Sequence, residues 1–291
     1  MDYNIFINIV LSSFVVALAS SLVTVSIKSF LKKVNMLEHL SGFVLASLIM
    51  SIPELLLIVF GNNIFNYKTP LYIITTSALF GVVFSMLIYY IKGKKEVSLK
   101  HIEGYLDLIV FALFLPFLAV VDGIITELDG LLLVLAYFLI LLATLYESRG
   151  KKIDFSTFYN EISPILLGMV TMSLVINIVL YYVIRTNLSP NLVGLLLGLV
   201  SVVPQLVSAL VSDKHTLEES VGSTITLLTL ALGIIPLLYG EIKLKPTELS
   251  LIYLSIITSY MLLVAGKLGK IDKEEIIIML IALFTYLVHA V

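Results

Sequence analysis

The chain contains no cysteine, which excludes disulfides and thiolate metal sites. Its four histidines are scattered and form no H-x-x-x-H pair, so zinc chemistry has no foothold. Charge is scarce: 13% of residues are Asp, Glu, Lys or Arg, and the net charge is −2, so no basic face points to nucleic acid. There is no G-x-x-x-x-G-K-[ST] motif, which argues against nucleotide binding and ATP-driven pumping. A basic n-region is missing before the first apolar run. That run, Tyr3 to Val25, is too long for a signal-peptide core, so it is read as a retained first helix. What the chain has in abundance is apolar surface, 59% of 291 residues, the composition of a polytopic membrane protein.

About 20 apolar residues cross a bilayer as a helix. Runs of that kind lie near 4–27, 40–60, 70–91, 104–121, 130–146, 164–184, 191–211, 219–239, 248–266 and 274–291. The expected fold is therefore all-α, with ten transmembrane helices and no soluble domain. Loop charge sets the orientation. The breaks after the odd-numbered segments carry Lys28, Lys32, Lys33, Lys92, Lys94, Lys95, Lys100, Arg149, Lys151, Lys152, Lys214, Lys267, Lys270 and Lys273. The other side has only Lys68, Arg185, Lys243 and Lys245. Odd-numbered loops are thus expected in the cytoplasm and both termini outside. This pattern suits a prokaryotic plasma membrane. Glu103, Asp107, Asp122, Glu127, Asp129, Glu218 and Glu219 fall near segment ends and are expected at the membrane interface.

Ten segments around a central cytoplasmic stretch divide into residues 1–146, a linker at 147–163, and residues 164–291. Five helices per half is an odd number, so the halves must run in opposite directions, an inverted-topology repeat. Two phrases mark it. "SIPELLLIVF" at 51–60 and "SVVPQLVSAL" at 201–210 share P-[EQ]-L, about half the chain apart, each in the second segment of its half. Pro53 and Pro204 are expected to break their helices and free a carbonyl one turn back. Glu54 puts a carboxylate into hydrocarbon, where ionisable groups are expensive and usually functional.

The side chains around these prolines line up. Ser47, Ser51 and Glu54 are spaced i, i+4, i+7, and Ser201, Gln205 and Ser208 repeat that spacing. Each face presents hydroxyl oxygens with a carboxylate or amide oxygen, a ligand set for hard cations. In the segments that follow, Ser77, Gly81 and Ser85 share one face, and Ser223 and Thr226 another. Gly81 and Gly222 allow close helix approach. Each feature has a plainer reading. Glu54 as a neutral acid can bond a neighbouring helix, Gln205 can be interhelical glue, and Ser or Thr can bond back to its own helix. Glu54 and Gln205 are the expected metal-binding pair, with Ser51, Ser77, Ser223, Ser47, Ser201, Ser208 and Thr226 around them.

At these residues the chain resembles the cation/calcium antiporter superfamily, the sodium/calcium exchanger membrane family. The resemblance implies ten helices in two inverted halves, each with a [ST]-x-P-E helix followed by a G-S-N helix. Ser51-Ile52-Pro53-Glu54 matches the first motif, and Val202-Val203-Pro204-Gln205 matches it in part. Gly222-Ser223-Thr224 looks like the G-S-N of the second half, and Ser77 falls at the corresponding serine of the first. The departures concern charge. Gln205 stands where calcium-carrying members have a second glutamate, and Leu227 and Gly81 stand where they often have Asp or Asn.

The resemblance implies a secondary antiporter, and the residues favour Na+ or H+ over an ordinary Ca2+ site. The alternative is a degenerate, non-transporting member acting as a membrane scaffold or sensor. An intramembrane enzyme needs a catalytic pair that the sequence does not offer, so no enzymatic activity is expected. No cofactor is expected beyond the transported cation (Na+, H+ or Ca2+). The expected partners are membrane lipid and cations, and no protein partner is implied.

Overall fold

The computed structural model describes residues 47–49, 51–93, 106–147, 158–184, 188–211 and 216–290, with isolated positions between 11 and 29. The described chain is almost wholly helical, as it must be where no water can satisfy backbone groups. The helices are α1 (Ile52–Gly61), α2 (Lys68–Ile91), α3 (Leu106–Val120), α4 (Glu127–Glu147), α5 (Phe158–Ile184) and α6 (Pro190–Val211). They continue with α7 (Thr216–Ile225), a π-helical stretch (Thr226–Ala231), α8 (Leu232–Tyr239), α9 (Pro246–Leu268) and α10 (Lys273–Ala290). Among the described residues, α2, the Pro190–Val207 part of α6, the continuous span Leu217–Tyr239 and α9 are long and apolar enough to cross a membrane. With the composition, these spans make the chain an integral membrane protein.

The core is built around α2. Every residue from Thr69 to Val83 is buried, so this helix is enclosed on all sides. Its principal neighbour is α6, and the two run parallel along their whole length. Thr69 Oγ1 donates to Pro190 O at one end (3.3 Å). At the other end Lys92 Nζ donates to Ala209 O (3.0 Å) and Leu210 O (2.7 Å), a cation on the C-terminal carbonyls of α6. Glycine sets the spacing between them. A Cβ on Gly194 would lie 2.5 Å from Tyr72 Cβ and 2.6 Å from Thr69 O. One on Gly198 would lie 2.6 Å from Thr76 Cβ and 3.0 Å from Ile73 O. The G-x-x-x-G spacing of 194 and 198 is the usual signal for such a seam.

Short strands β1 (Ile124–Ile125) and β2 (Ile242–Lys243) pair antiparallel, Ile124 opposite Lys243 and Ile125 opposite Ile242. Leu244 N donates to Gly123 O at 2.8 Å. The loop from α3 to α4 is thereby tied to the loop from α8 to α9.

One expectation is corrected. Pro204 does not break its helix: α6 is continuous from Pro190 to Val211. Membrane helices tolerate proline where neighbours support the freed backbone, and the tight seam with α2 supplies that support. The helix α5 starts at Phe158, within the stretch 147–163 expected to join the two halves. Pro164 lies inside that helix rather than at its start. Glu218 and Glu219, at the start of the span that begins at Leu217, are buried within the protein (3% and 6% exposed). They sit in the first turn of α7, which packs into the bundle.

Candidate functional site

Residues 47–49 are helical, the chain turns at Ser51 (φ −90°, ψ 4°), and α1 restarts at Ile52 with proline in its first turn. Ser51 N donates to Ser47 O at 3.0 Å, and Ser51 O accepts from Leu55 N at 3.1 Å. Proline has no amide to donate and its ring crowds the preceding turn, so the helix is re-nucleated there. Glu54 then falls in the first turn of α1, where the helix dipole favours negative charge. Ser47, Ser51 and Glu54 are all buried, Glu54 completely (0% exposed).

Two hydroxyl pairs meet around this break. Ser77 Oγ on α2 and Ser201 Oγ on α6 are 2.7 Å apart. Both also donate to Gly198 O, at 3.2 and 2.9 Å. On the other side, Ser51 Oγ and Ser223 Oγ of α7 are 3.1 Å apart, and Gln205 Nε2 donates to Ser223 Oγ. The hydroxyls of Ser201 and Ser77 bear on the Glu54 carboxylate, yet neither closes a hydrogen bond to it. Both Glu54 oxygens are buried without a hydrogen-bond partner among the described residues.

Gln205 is held differently. A Cβ on Gly81 would overlap Gln205 Oε1 and lie 3.0 Å from its Cδ. The missing side chain at 81 is thus the space that the amide fills. One turn further along α2, Ser85 Oγ accepts from Ser220 Oγ at 2.7 Å. Ser77, Gly81 and Ser85 therefore all face α6 or α7, as their spacing predicts.

Of the residues expected at the site, Ser51, Ser77, Ser201, Gln205 and Ser223 are joined by hydrogen bonds, with Glu54 beside them. Ser47 lies one turn before Ser51. The side chains of Pro204 and Ser208 lie outside the described residues. Thr226 is not part of the cluster. Its hydroxyl donates to Gly222 O (3.0 Å) and to Tyr137 OH of α4 (3.4 Å). A π-helical stretch, Thr226–Ala231, begins at this residue. Gly198 was missed by sequence reasoning, although its carbonyl holds both Ser77 and Ser201. The G-x-x-x-G signal could have found it.

No family model matches the sequence, and no curated relative does. Solved structures do. The H+/Ca2+ exchanger CAX aligns over 98% of this chain and 84% of its own, with a TM-score of 0.74 at 14% identity. The sodium-calcium exchanger NCX_Mj, from a crystal soaked with 2.5 mM Na+ and 10 mM Sr2+, aligns over 99% of both chains with the same TM-score at 15% identity. In zero Na+ and Ca2+ the TM-score to NCX_Mj is 0.71, at 16% identity. The fold is that of these cation exchangers. At such identity the likeness extends to the path of the backbone, and the chemistry must be argued from the side chains.

The described residues contain no group of three or more His, Cys, Asp or Glu that could hold a metal ion. What they assemble is one carboxylate, one amide and several hydroxyls. Ionised, Glu54 would give that set a single negative charge. A divalent ion stripped of water needs more anionic oxygen.

Proposed function

We propose that this chain is a secondary active cation antiporter of the sodium/calcium exchanger type, a divergent member of the cation/calcium antiporter superfamily, with Glu54 as the group that binds the transported ion. The observation that carries this reading is the fully buried carboxylate without a hydrogen-bond partner among the described residues, set at a helix break in an exchanger fold. A buried carboxylate left unpaired is costly, and a bound cation or proton removes that cost. A metal ion and a proton use the same oxygens, so binding of one requires release of the other. Exchange follows from that competition. With Gln205 neutral, Na+ or H+ fits the site better than Ca2+.

The two serine pairs support the inverted repeat. Ser77 stands beside Glu54, and Ser223 is bonded to Gln205, as two halves related by a pseudo-two-fold axis require. In this reading α5, which among the described residues packs substantially only on α1, belongs to the part that moves during alternating access. The loop charges put both termini outside, in a prokaryotic plasma membrane. Single cysteines introduced at Asp2 and at Gly150 of the Cys-free chain should then label from opposite sides; labelling of both from one side removes the five-plus-five arrangement.

The deciding experiment is flux of Na+, H+ and Ca2+ in proteoliposomes, for the parent and for Glu54→Gln. The parent should exchange cations and the variant should not. The alternative, a non-transporting scaffold or sensor, draws support from Gln205, whose amide fills the space at Gly81 and bonds Ser223. A parent that folds but moves no cation would establish it.

A further inference from the structure

Tyr286, on the last helix, is completely buried, and its hydroxyl reaches two adjacent threonines of α2. It lies 2.7 Å from Thr76 Oγ1 and 2.9 Å from Thr75 Oγ1. Thr75 Oγ1 in turn donates to Leu71 O at 3.0 Å, and Ser255 of α9 donates to Thr75 O at 3.1 Å. Each hydroxyl has one proton. Arrangements that use each once run from Thr76 to Tyr286, from Tyr286 to Thr75 or to Tyr72 O (3.5 Å), and from Thr75 to Leu71 O. Thr76 therefore directs its proton to α10 instead of back to its own helix.

This fixes the Thr76 side chain, and Thr76 is the residue against which Gly198 packs. A Cβ on Gly198 would lie 2.6 Å from Thr76 Cβ and 3.0 Å from its Cγ2. The carbonyl of Gly198 is the acceptor shared by Ser77 and Ser201, the two hydroxyls that bear on Glu54. A contiguous path thus leads from Tyr286 through Thr76 and Gly198 to the serines beside the carboxylate.

We infer that Tyr286 is a positioning residue for the Glu54 site: its hydroxyl, through Thr76, sets how closely α6 seats on α2 and hence where Ser77 and Ser201 stand. This inference rests on the reading of Glu54 as the ion-binding group. Removing the hydroxyl while keeping the ring tests it. In proteoliposomes, Tyr286→Phe should raise the cation concentration for half-maximal flux roughly three- to tenfold, with a smaller change in maximal rate. Thr76→Val should do the same, and the double variant should add little, because both act on one link.

A second measurement does not need transport. An apolar carbodiimide labels buried protonated carboxyls, and the labelling rate of the Glu54 peptide can be followed by mass spectrometry. Tyr286→Phe should change that rate, and Thr76→Val should change it in the same sense. If Tyr286→Phe keeps the parent's half-saturation and labelling rate while only its thermal midpoint falls, the residue is merely structural and the inference is wrong. If the parent shows no flux, the antiporter reading fails, and the labelling rates decide the positioning role alone.

Discussion

Glu54 and Gln205 follow a proline in the same P-x-L setting, and the structure treats them in opposite ways. Before Pro53 the helix is interrupted at Ser51; at Pro204 it runs on. Glu54 is buried with both oxygens unpartnered among the described residues, whereas Gln205 has Ser223 for its amide N–H and the space over Gly81 for its oxygen. The difference teaches that the two half-sites have separate duties. The second is a satisfied polar contact that holds α6, α7 and α2 together. The first, in the reading proposed above, holds the ion: a buried carboxylate that has no hydrogen-bond partner among the described residues.

The sharpest way to break this contrast is Glu54→Gln. It makes the two half-sites chemically alike, and it should abolish cation-dependent flux. Folding should survive, because the amide keeps the shape and removes a carboxylate that has no hydrogen-bond partner among the described residues. A thermal midpoint at or above the parent's, with flux lost, is the expected pair of results. Parental flux in this variant would show that the carboxylate does not carry transport.

Next in size is Gly81→Ala, which attacks the other half-site. The new methyl would overlap Gln205 Oε1, forcing the amide away from Ser223 or α2 away from α6. Overpacking of this kind costs about 1–3 kcal/mol, and an orphaned Gln205 amide adds to it. The expected outcome is a lower thermal midpoint together with weakened cation dependence. A variant as stable as the parent would mean that Gln205 has room to move, contrary to its assigned role as a fixed contact.

Gln205→Glu is gentler in shape and alters charge. A second anionic oxygen set near Glu54 should move selectivity toward divalent ions, read as Ca2+ against Na+ in competition for flux or for thermal stabilisation. The carboxylate cannot donate to Ser223 as the amide does, so Ser223 must reverse its hydrogen bond. An unchanged preference would count against the two half-sites sharing one ion.

Much of this was legible in the sequence because membrane physics is restrictive. Apolar runs became helices, with ends within a few residues of expectation at α2, α4 and α6. The serine faces were legible because helical spacing fixes which residues share a side, and Ser77, Gly81 and Ser85 obeyed it. Spacing failed wherever the local geometry departs from an α-helix or depends on another helix. Pro204 reads as a breaker, but its helix runs on through it. Tyr286 reads as one more aromatic in a terminal helix, and only tertiary packing brings it to Thr75 and Thr76.

Thr226 gives the smallest effect and the cleanest separation between spacing and structure. Counted on an α-helix it stands beside Ser223 and belongs to the ion site. Its hydroxyl instead meets Tyr137, with a back-bond to Gly222 O. Thr226→Val keeps the branched shape and removes the hydroxyl. The back-bond is local and its loss is nearly neutral, because it competes with the helix's own ladder. The cost lies in the Tyr137 hydroxyl, which sits in the core and loses a long hydrogen bond; that is about 1 kcal/mol or less. The cation concentration for half-maximal flux should therefore match the parent's while the thermal midpoint falls slightly. Thr226→Ser, which retains the hydroxyl, should recover most of that fall. If Thr226→Val instead shifts cation dependence as strongly as Gly81→Ala does, then the winding at 226–231 opens toward the site, and the residue belongs with Ser223 after all.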